Sequence, residues 1–233
     1  EEYKAMYPGI ETKMVKGSRY GKPAMVPSKE TKRRDYRAAV TCMDAAIGDI
    51  LKRLDQQKKA HNTLVIFMSD NGGGGPADNR PLRGKKGQMW EGGLRVPCII
   101  RWPAVLPGGK TCDAFLSSME IFPTIAAATG ADLPEGVTLD GFNMLPVLRD
   151  KAPSKRTAMF WQRRNLKAAR VGSWKWVDMG NDSQGLFDLR SDPGERRNLA
   201  TKKPDILNRL RKQFADWSKE MDQAEPRGPF RNF

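Results

Sequence analysis

Apolar side chains recur along this sequence with two different rhythms. Tyr36, Val40, Met43, Ile47, Ile50 and Leu54 lie three or four residues apart, the repeat of one face of an amphipathic helix, and predict a helix over 36–54. Leu207, Leu210, Phe214, Trp217 and Met221 keep the same repeat and predict a helix near the end of the chain. Two continuous apolar runs, 63–68 and 96–102, instead have the length and β-branched content of strands. The first reads as an interior strand, buried on both faces as in a parallel sheet. Helix followed directly by buried strand points to the α/β class. A shorter helix is expected over 120–130, where Pro123 sits in a tolerant first turn and Gly130 in the position after the last turn.

The remaining segments are read more coarsely. Residues 1–34, with Pro8-Gly9, Gly17, Gly21, Pro23 and Pro27, read as an irregular loop, and 56–62 as a polar connection. The stretch 131–155 is loop-rich and marks a subdomain boundary, so the expected domains are 1–150 and 151–233. Beyond it, 168–177 and 185–189 resemble antiparallel strands, and the tail EPRGPFRNF reads as irregular. No internal repeat is visible.

Composition adds two constraints. Hydrophobic residues at 39% and charged residues at 29% are ordinary for a globular protein, and no apolar run approaches the roughly 18 residues of a membrane-spanning helix. The opening EEYKAMYPGIETK has no basic segment followed by an apolar one, so no signal peptide is read there and the compartment stays open. Cys42, Cys98 and Cys112 are widely spaced and form neither a disulfide framework nor a metal knuckle; buried free thiols are expected. The 41 Lys and Arg against 27 Asp and Glu leave a formal charge of +14, which favours polyanionic partners or a solvated basic surface.

Candidate chemistry begins at IFMSDNGGGG, residues 66–75, where the apolar run stops at Ser69, Asp70 and Asn71 and gives way to glycines. In open α/β sheets ligands sit beyond the carboxyl ends of the strands. A carboxylate and a carboxamide there offer hard oxygen ligands suited to Ca²⁺ or Mg²⁺. S-D-N-G is equally good turn chemistry, so these residues alone leave both readings open.

The wider pattern is more specific. The helix with Met43-Asp44, Ser69-Asp70-Asn71-Gly72-Gly73, Lys86-Gly87-x-x-Trp90-Glu91-Gly92-Gly93-x-Arg95-x-Pro97 and Trp102-Pro103 together resemble a type I sulfatase. So do Phe122-Pro123-Thr124, Asp140-Gly141, Gly172-x-Trp174-Lys175, Leu186-Phe187-Asp188-Leu189, Asp192-Pro193-x-Glu195 and Asn198-Leu199-Ala200, in the family's order from about 36 to 217. The resemblance implies an alkaline-phosphatase-like α/β fold with a small α+β carboxy-terminal subdomain, and hydrolysis of sulfate esters. The family's nucleophile is a formylglycine made from a Cys or Ser in a C/S-x-P/A-S-R motif. No such motif surrounds the three cysteines. The expectation is therefore the carboxy-terminal half of the enzyme, with the nucleophile and two further metal-binding aspartates supplied upstream. Such a piece is expected to be inactive by itself.

By this resemblance Asp70 and Asn71 hold a divalent cation, Ca²⁺ with Mg²⁺ as the alternative, and Lys86 contacts the sulfate group. Lys85 is the neighbouring competitor, set aside only by register against Trp90-Glu91-Gly92-Gly93. Glu91 and Arg95 are expected to pair with each other or with loop backbone, and Trp90 to pack. Asn79 and Arg83 stand between the motifs, within reach of substrate or simply supporting the loop. His61, the single histidine, reads as a surface residue, and Glu120 stands where the family usually has Asp, which puts the local cap in question.

The run 151–175 contains eight Lys or Arg and no acid, with Trp161 and Trp174 interleaved. It reads either as a groove for a polyanionic chain such as a sulfated glycan or as a solvated face. Its composition also suits nucleic acid, but the resemblance implies no nucleic-acid partner. It also suggests a periplasmic or extracellular location, because the family is commonly exported. Two rivals remain: a phosphodiesterase or phosphonate hydrolase of the same superfamily, and a non-catalytic polyanion binder.

Overall fold

The computed structural model describes residues 1–19, 21–133, 135–136, 138–180 and 183–224. The expected irregular tail, 225–233, lies outside them. The chain divides into two compact units: Glu1–Asn79 with Val96–Gly108, and Arg80–Arg95 with Gly109–Phe233.

The first unit departs from expectation at its start. A short helix α1 (Glu2–Ala5) leads into an antiparallel hairpin, β1 (Met14–Arg19) with β2 (Lys22–Pro27), where an irregular loop was expected. The glycines that read as breakers belong to the hairpin. A Cβ on Gly17 would lie 2.6 Å from Val26 Cγ2 across the ladder, and Gly21 takes φ +78° in the turn. Helix α2 (Lys29–Gln56) then begins earlier than the periodicity showed, capped by Ser28, whose hydroxyl accepts from the Thr31 amide.

The expected apolar face of α2 is not its buried face. Tyr36 is 41% and Ile50 61% exposed, and Val40 and Met43 are exposed as well. The helix instead buries Thr31, Arg34 and Ala38. Arg34 donates to the Ile10 carbonyl at 2.7 Å, and Thr31 accepts from the Lys13 amide at 3.0 Å, so its first turns are held by the segment ahead of the hairpin. Strand β3 (Val65–Met68) is found where expected, but it is half-buried. Its described partner is antiparallel: β4 (Cys98–Arg101), with Val65 opposite Arg101 and Met68 opposite Cys98. The cysteines correct another expectation, since Cys42, Cys98 and Cys112 are free but exposed.

The second unit contains helices α3 (Glu91–Leu94), α4 (Ile121–Thr129) and α5 (Leu145–Leu148), a four-stranded antiparallel sheet and helix α6 (Pro204–Gln223). The sheet runs β5 (Ala158–Arg163), β6 (Leu166–Val171), β7 (Trp174–Asp178) and β8 (Gln184–Asp188) in simple meander order. The single strand expected over 168–177 is two strands, folded back at Gly172, which takes φ +58°. Both sheet faces are covered, because consecutive residues of a strand point to opposite sides. Ala169, Trp176 and Leu186 pack on Leu210 and Phe214 of α6. Ala168, Val177 and Phe187, one step along each strand, pack on Met89 and Trp90. The apolar repeat of α6 is therefore a true core face from Leu207 to Trp217, with Met221 exposed beyond it.

Around α4, Glu120 fills the family's Asp position well. It accepts from the Ser117 amide at 2.5 Å to close a capping box, and it takes a hydrogen bond from Arg156 Nε at 2.7 Å. Gly130 ends α4 in the left-handed conformation at φ +70°, as expected. Thr124 is fully buried and accepts from the Met144 amide at 2.9 Å, tying α4 to the turn before α5.

Candidate active-site segments

In the first unit, Ser69, Asp70 and Asn71 follow immediately on the carboxyl end of β3. Asp70 is exposed and Asn71 half-buried, while Ser69 Oγ donates to the Asn71 carbonyl at 2.8 Å. Of the glycines beyond them, Gly73 serves close approach, and Gly75 takes φ +58°. Asn79 accepts from the Gly73 amide at 2.9 Å and donates back to its carbonyl at 2.8 Å. A Cβ on Gly73 would come within 2.8 Å of that same Asn79 oxygen. Asn79 therefore supports the loop. Asp70 and Asn71 suit a hard cation by donor chemistry, but among the described residues no three His, Cys, Asp or Glu gather to hold a metal. Two donors are fewer than the six to eight oxygens that Ca²⁺ takes.

In the second unit, the segment around Lys86 is built on α3. The Gln88 amide donates to the Lys85 carbonyl at 3.0 Å, and Gln88 Oε1 accepts from the Lys85 amide at 3.1 Å, closing a turn in which Gly87 takes φ +86°. This turn lies directly on α3. A Cβ on Gly92 would meet the Arg83 carbonyl at 2.5 Å, and one on Gly93 would meet the Lys85 carbonyl at 2.7 Å. The paired glycines are thus the condition for stacking turn on helix. Lys85 and Lys86 both point their side chains to the exposed surface, and Lys86 makes no ion pair among the described residues. Trp90 packs as expected: it is buried, meets Phe187 edge-on at 5.6 Å, and carries the Arg83 guanidinium 3.7 Å above its ring. Arg83 also donates to the Glu195 carbonyl at 3.2 Å, which makes it a support for the segment.

Glu91 and Arg95 were expected to pair with each other or with loop backbone, and among the described residues neither side chain does so. Glu91 is buried and accepts from Lys175 Nζ at 2.7 Å; Arg95 is exposed and meets Glu91 only through its backbone amide. Lys175 is itself fully buried on β7 and lies 2.9 Å from Glu195 Oε1. Glu195, buried and held at φ +52°, closes the group by accepting from the Glu91 amide at 2.6 Å. Two carboxylates share one ammonium. Burial pushes the Glu195 carboxyl above the usual carboxylate range, with the Lys175 charge opposing that shift. Sequence reading missed this triad, although a lysine set in a strand between Trp174 and Trp176-Val177 was a signal that something must neutralise it. His61, in the 3₁₀ turn Ala60–Asn62 ahead of β3, is exposed as expected.

With this geometry in place, comparison with known proteins is decisive. The sulfatase family model matches residues 2–131, more than half of the chain. This chain belongs to the sulfatase family. A second family model, N-sulphoglucosamine sulphohydrolase C-terminal, matches residues 84–220. Steryl-sulfatase of Mus musculus is 34% identical over 70% of this chain and 33% of its own length. Arylsulfatase A of Homo sapiens is 32% identical over 80% of this chain and 44% of its own. The crystal structure of Ps i-CgsB in complex with k-i-k-neocarrahexaose superimposes with a TM-score of 0.78 at 29% identity, covering 93% of this chain and 46% of that one. These likenesses establish the alkaline-phosphatase-like sulfatase fold for the chain. It spans less than half the length of each of these sulfatases.

Proposed function

We propose that the protein carrying this chain is a metal-dependent sulfuric ester hydrolase acting on a sulfated glycan. The observation that carries the reading is Lys86, an exposed ammonium without an ion pair among the described residues, mounted on a turn stacked rigidly against α3. An ammonium carried on a turn whose backbone is already held can stabilise charge that builds on sulfuryl oxygens. Asp70 and Asn71 would contribute two oxygen donors to the metal, and Ca²⁺ suits them better than a soft ion. Such a cation, when bound, supplies Lewis-acid polarisation and orientation of a sulfate oxygen. The nucleophile, formylglycine from a Cys or Ser by family likeness, comes from outside these residues, as do the remaining ligands. Residues 1–150 would then form part of the catalytic domain and 151–233 its carboxy-terminal subdomain.

The glycan assignment is supported by the likeness to a protein crystallised with neocarrahexaose and by the basic hairpin β5–β6 of the second unit. Arg163 reaches from that hairpin to the turn holding Lys86, donating to the Gly87 carbonyl at 3.4 Å. The test is sulfate release by the full-length protein from sulfated oligosaccharides, with and without a chelator. Chelator-sensitive release of sulfate is expected. Faster turnover of phosphodiesters or phosphonates than of any sulfate ester would favour the superfamily rival instead.

A further inference from the structure

The triad Lys175, Glu91 and Glu195 sits away from the exposed surface that Lys86 occupies, yet it is joined to Lys86 by an unbroken series of contacts within one unit. Lys175 Nζ holds Glu91 Oε1 at 2.7 Å, and the Glu91 amide is held in turn by Glu195 Oε2 at 2.6 Å. Glu91 opens α3, and the next two residues are the glycines on which the turn rests. The Gly92 amide donates to the Arg83 carbonyl at 2.7 Å, and Gly93 lies against the carbonyls of Lys85 and Gln88, which bracket Lys86. We infer that Lys175, acting through the buried carboxylates of Glu91 and Glu195, is the positioning residue that locks the turn carrying Lys86 onto the carboxy-terminal sheet.

Two features favour positioning over bulk stability. A buried pair is weak evidence for stability, because desolvation of the charges opposes their attraction. Two carboxylates on one ammonium make the arrangement costlier still. A non-glycine residue at φ +52°, as Glu195 is, adds backbone strain of the kind that collects where geometry matters for function. What the arrangement provides is direction: each charge fixes a different piece of chain, namely β7, α3 and the loop after β8.

The inference rests on the reading of Lys86 given above, so its test has one arm that does not need activity. Glu91→Gln leaves a balanced Lys175–Glu195 pair and removes only the charge that anchors α3; Glu195→Gln leaves Lys175–Glu91 intact and serves as the conservative control. In the full-length protein, amide hydrogen exchange over 83–93 is expected to rise about tenfold in Glu91→Gln, with β5, β6 and α6 unchanged and Glu195→Gln much milder. In the full-length protein, Glu91→Gln should lower kcat about tenfold with KM little changed, the scale on which displaced supports act. It should add nothing to Lys86→Ala in the double variant. Unchanged exchange at 83–93, or an equal rise everywhere, would overturn the inference. If Glu91→Gln does not fold, exchange over 83–93 in Lys175→Met decides: selective loss there with the sheet still protected supports the inference, whereas retained protection or uniform loss overturns it. An inactive role for Lys86 with selective exchange at 83–93 would leave the lock standing and remove the catalytic reading.

Discussion

The Asn79 carboxamide grips Gly73 from both sides, accepting from its amide at 2.9 Å and donating to its carbonyl at 2.8 Å. A glycine-rich loop is thereby given one shape two residues after Asn71. Asn79→Ala should release it, and affinity of the full-length protein for Ca²⁺ should fall about tenfold, as expected when a support behind metal ligands is lost. Calorimetric titration checks this; undiminished affinity would show that the loop holds itself.

Lys86 and Lys85 are both exposed, and only their place in the turn distinguishes them. Lys86→Ala should reduce sulfate-ester turnover by roughly 10²-fold, the scale of losing one preorganised donor. Lys85→Ala should be much milder. A reversed order would put the catalytic register one residue off.

Glu195 makes stability depend on pH in a stated direction. Its carboxyl is raised above the reference value of 4.5 by burial, so the folded state favours the protonated form. That contribution is fully present below the unfolded value and is lost as pH rises through the folded one. In urea melts of the chain, wild type should therefore hold its best stability relative to Glu195→Gln at acid pH and lose ground toward neutrality. A gap that stays constant, or one that widens in favour of wild type as pH rises, would contradict the assignment.

The hairpin β5–β6 presents Arg163 and Arg164 exposed at its tip, whereas Lys167 leans toward the Phe214 ring at 5.8 Å. Neutralising Arg164, which makes no contact with the Lys86 turn among the described residues, to Gln should weaken binding of long sulfated chains and flatten its dependence on salt. Hydrolysis of a small aryl sulfate should not change. Equal losses on both substrates would mean that the hairpin serves folding alone.

Sequence periodicity revealed the elements whose partners lie within the chain. The repeat in α6 was legible because Leu210 and Phe214 pack on its own sheet. The repeat in α2 gave a helix but not a buried face, since periodicity records what a face is suited to and not what covers it; Tyr36 and Ile50 remain exposed. The first hairpin was missed because Gly17 and Gly21 look alike in a sequence whether they break a strand or fit one. Family motifs and strand position single out Asp70, Asn71 and Lys86 as the candidate site. The Lys175–Glu91–Glu195 group was not legible, because an ion pair 84 residues apart in sequence and a backbone-to-carboxylate hydrogen bond 104 apart leave no local pattern.

The central claim is that Asp70, with Asn71, holds a cation needed for sulfate-ester hydrolysis. The most direct measurement is metal content together with sulfate release, made on the full-length protein and its Asp70→Ala variant. The account predicts that the variant loses both bound Ca²⁺ and turnover, and that excess Ca²⁺ restores activity only in part. A variant that retains its metal and its rate would contradict it.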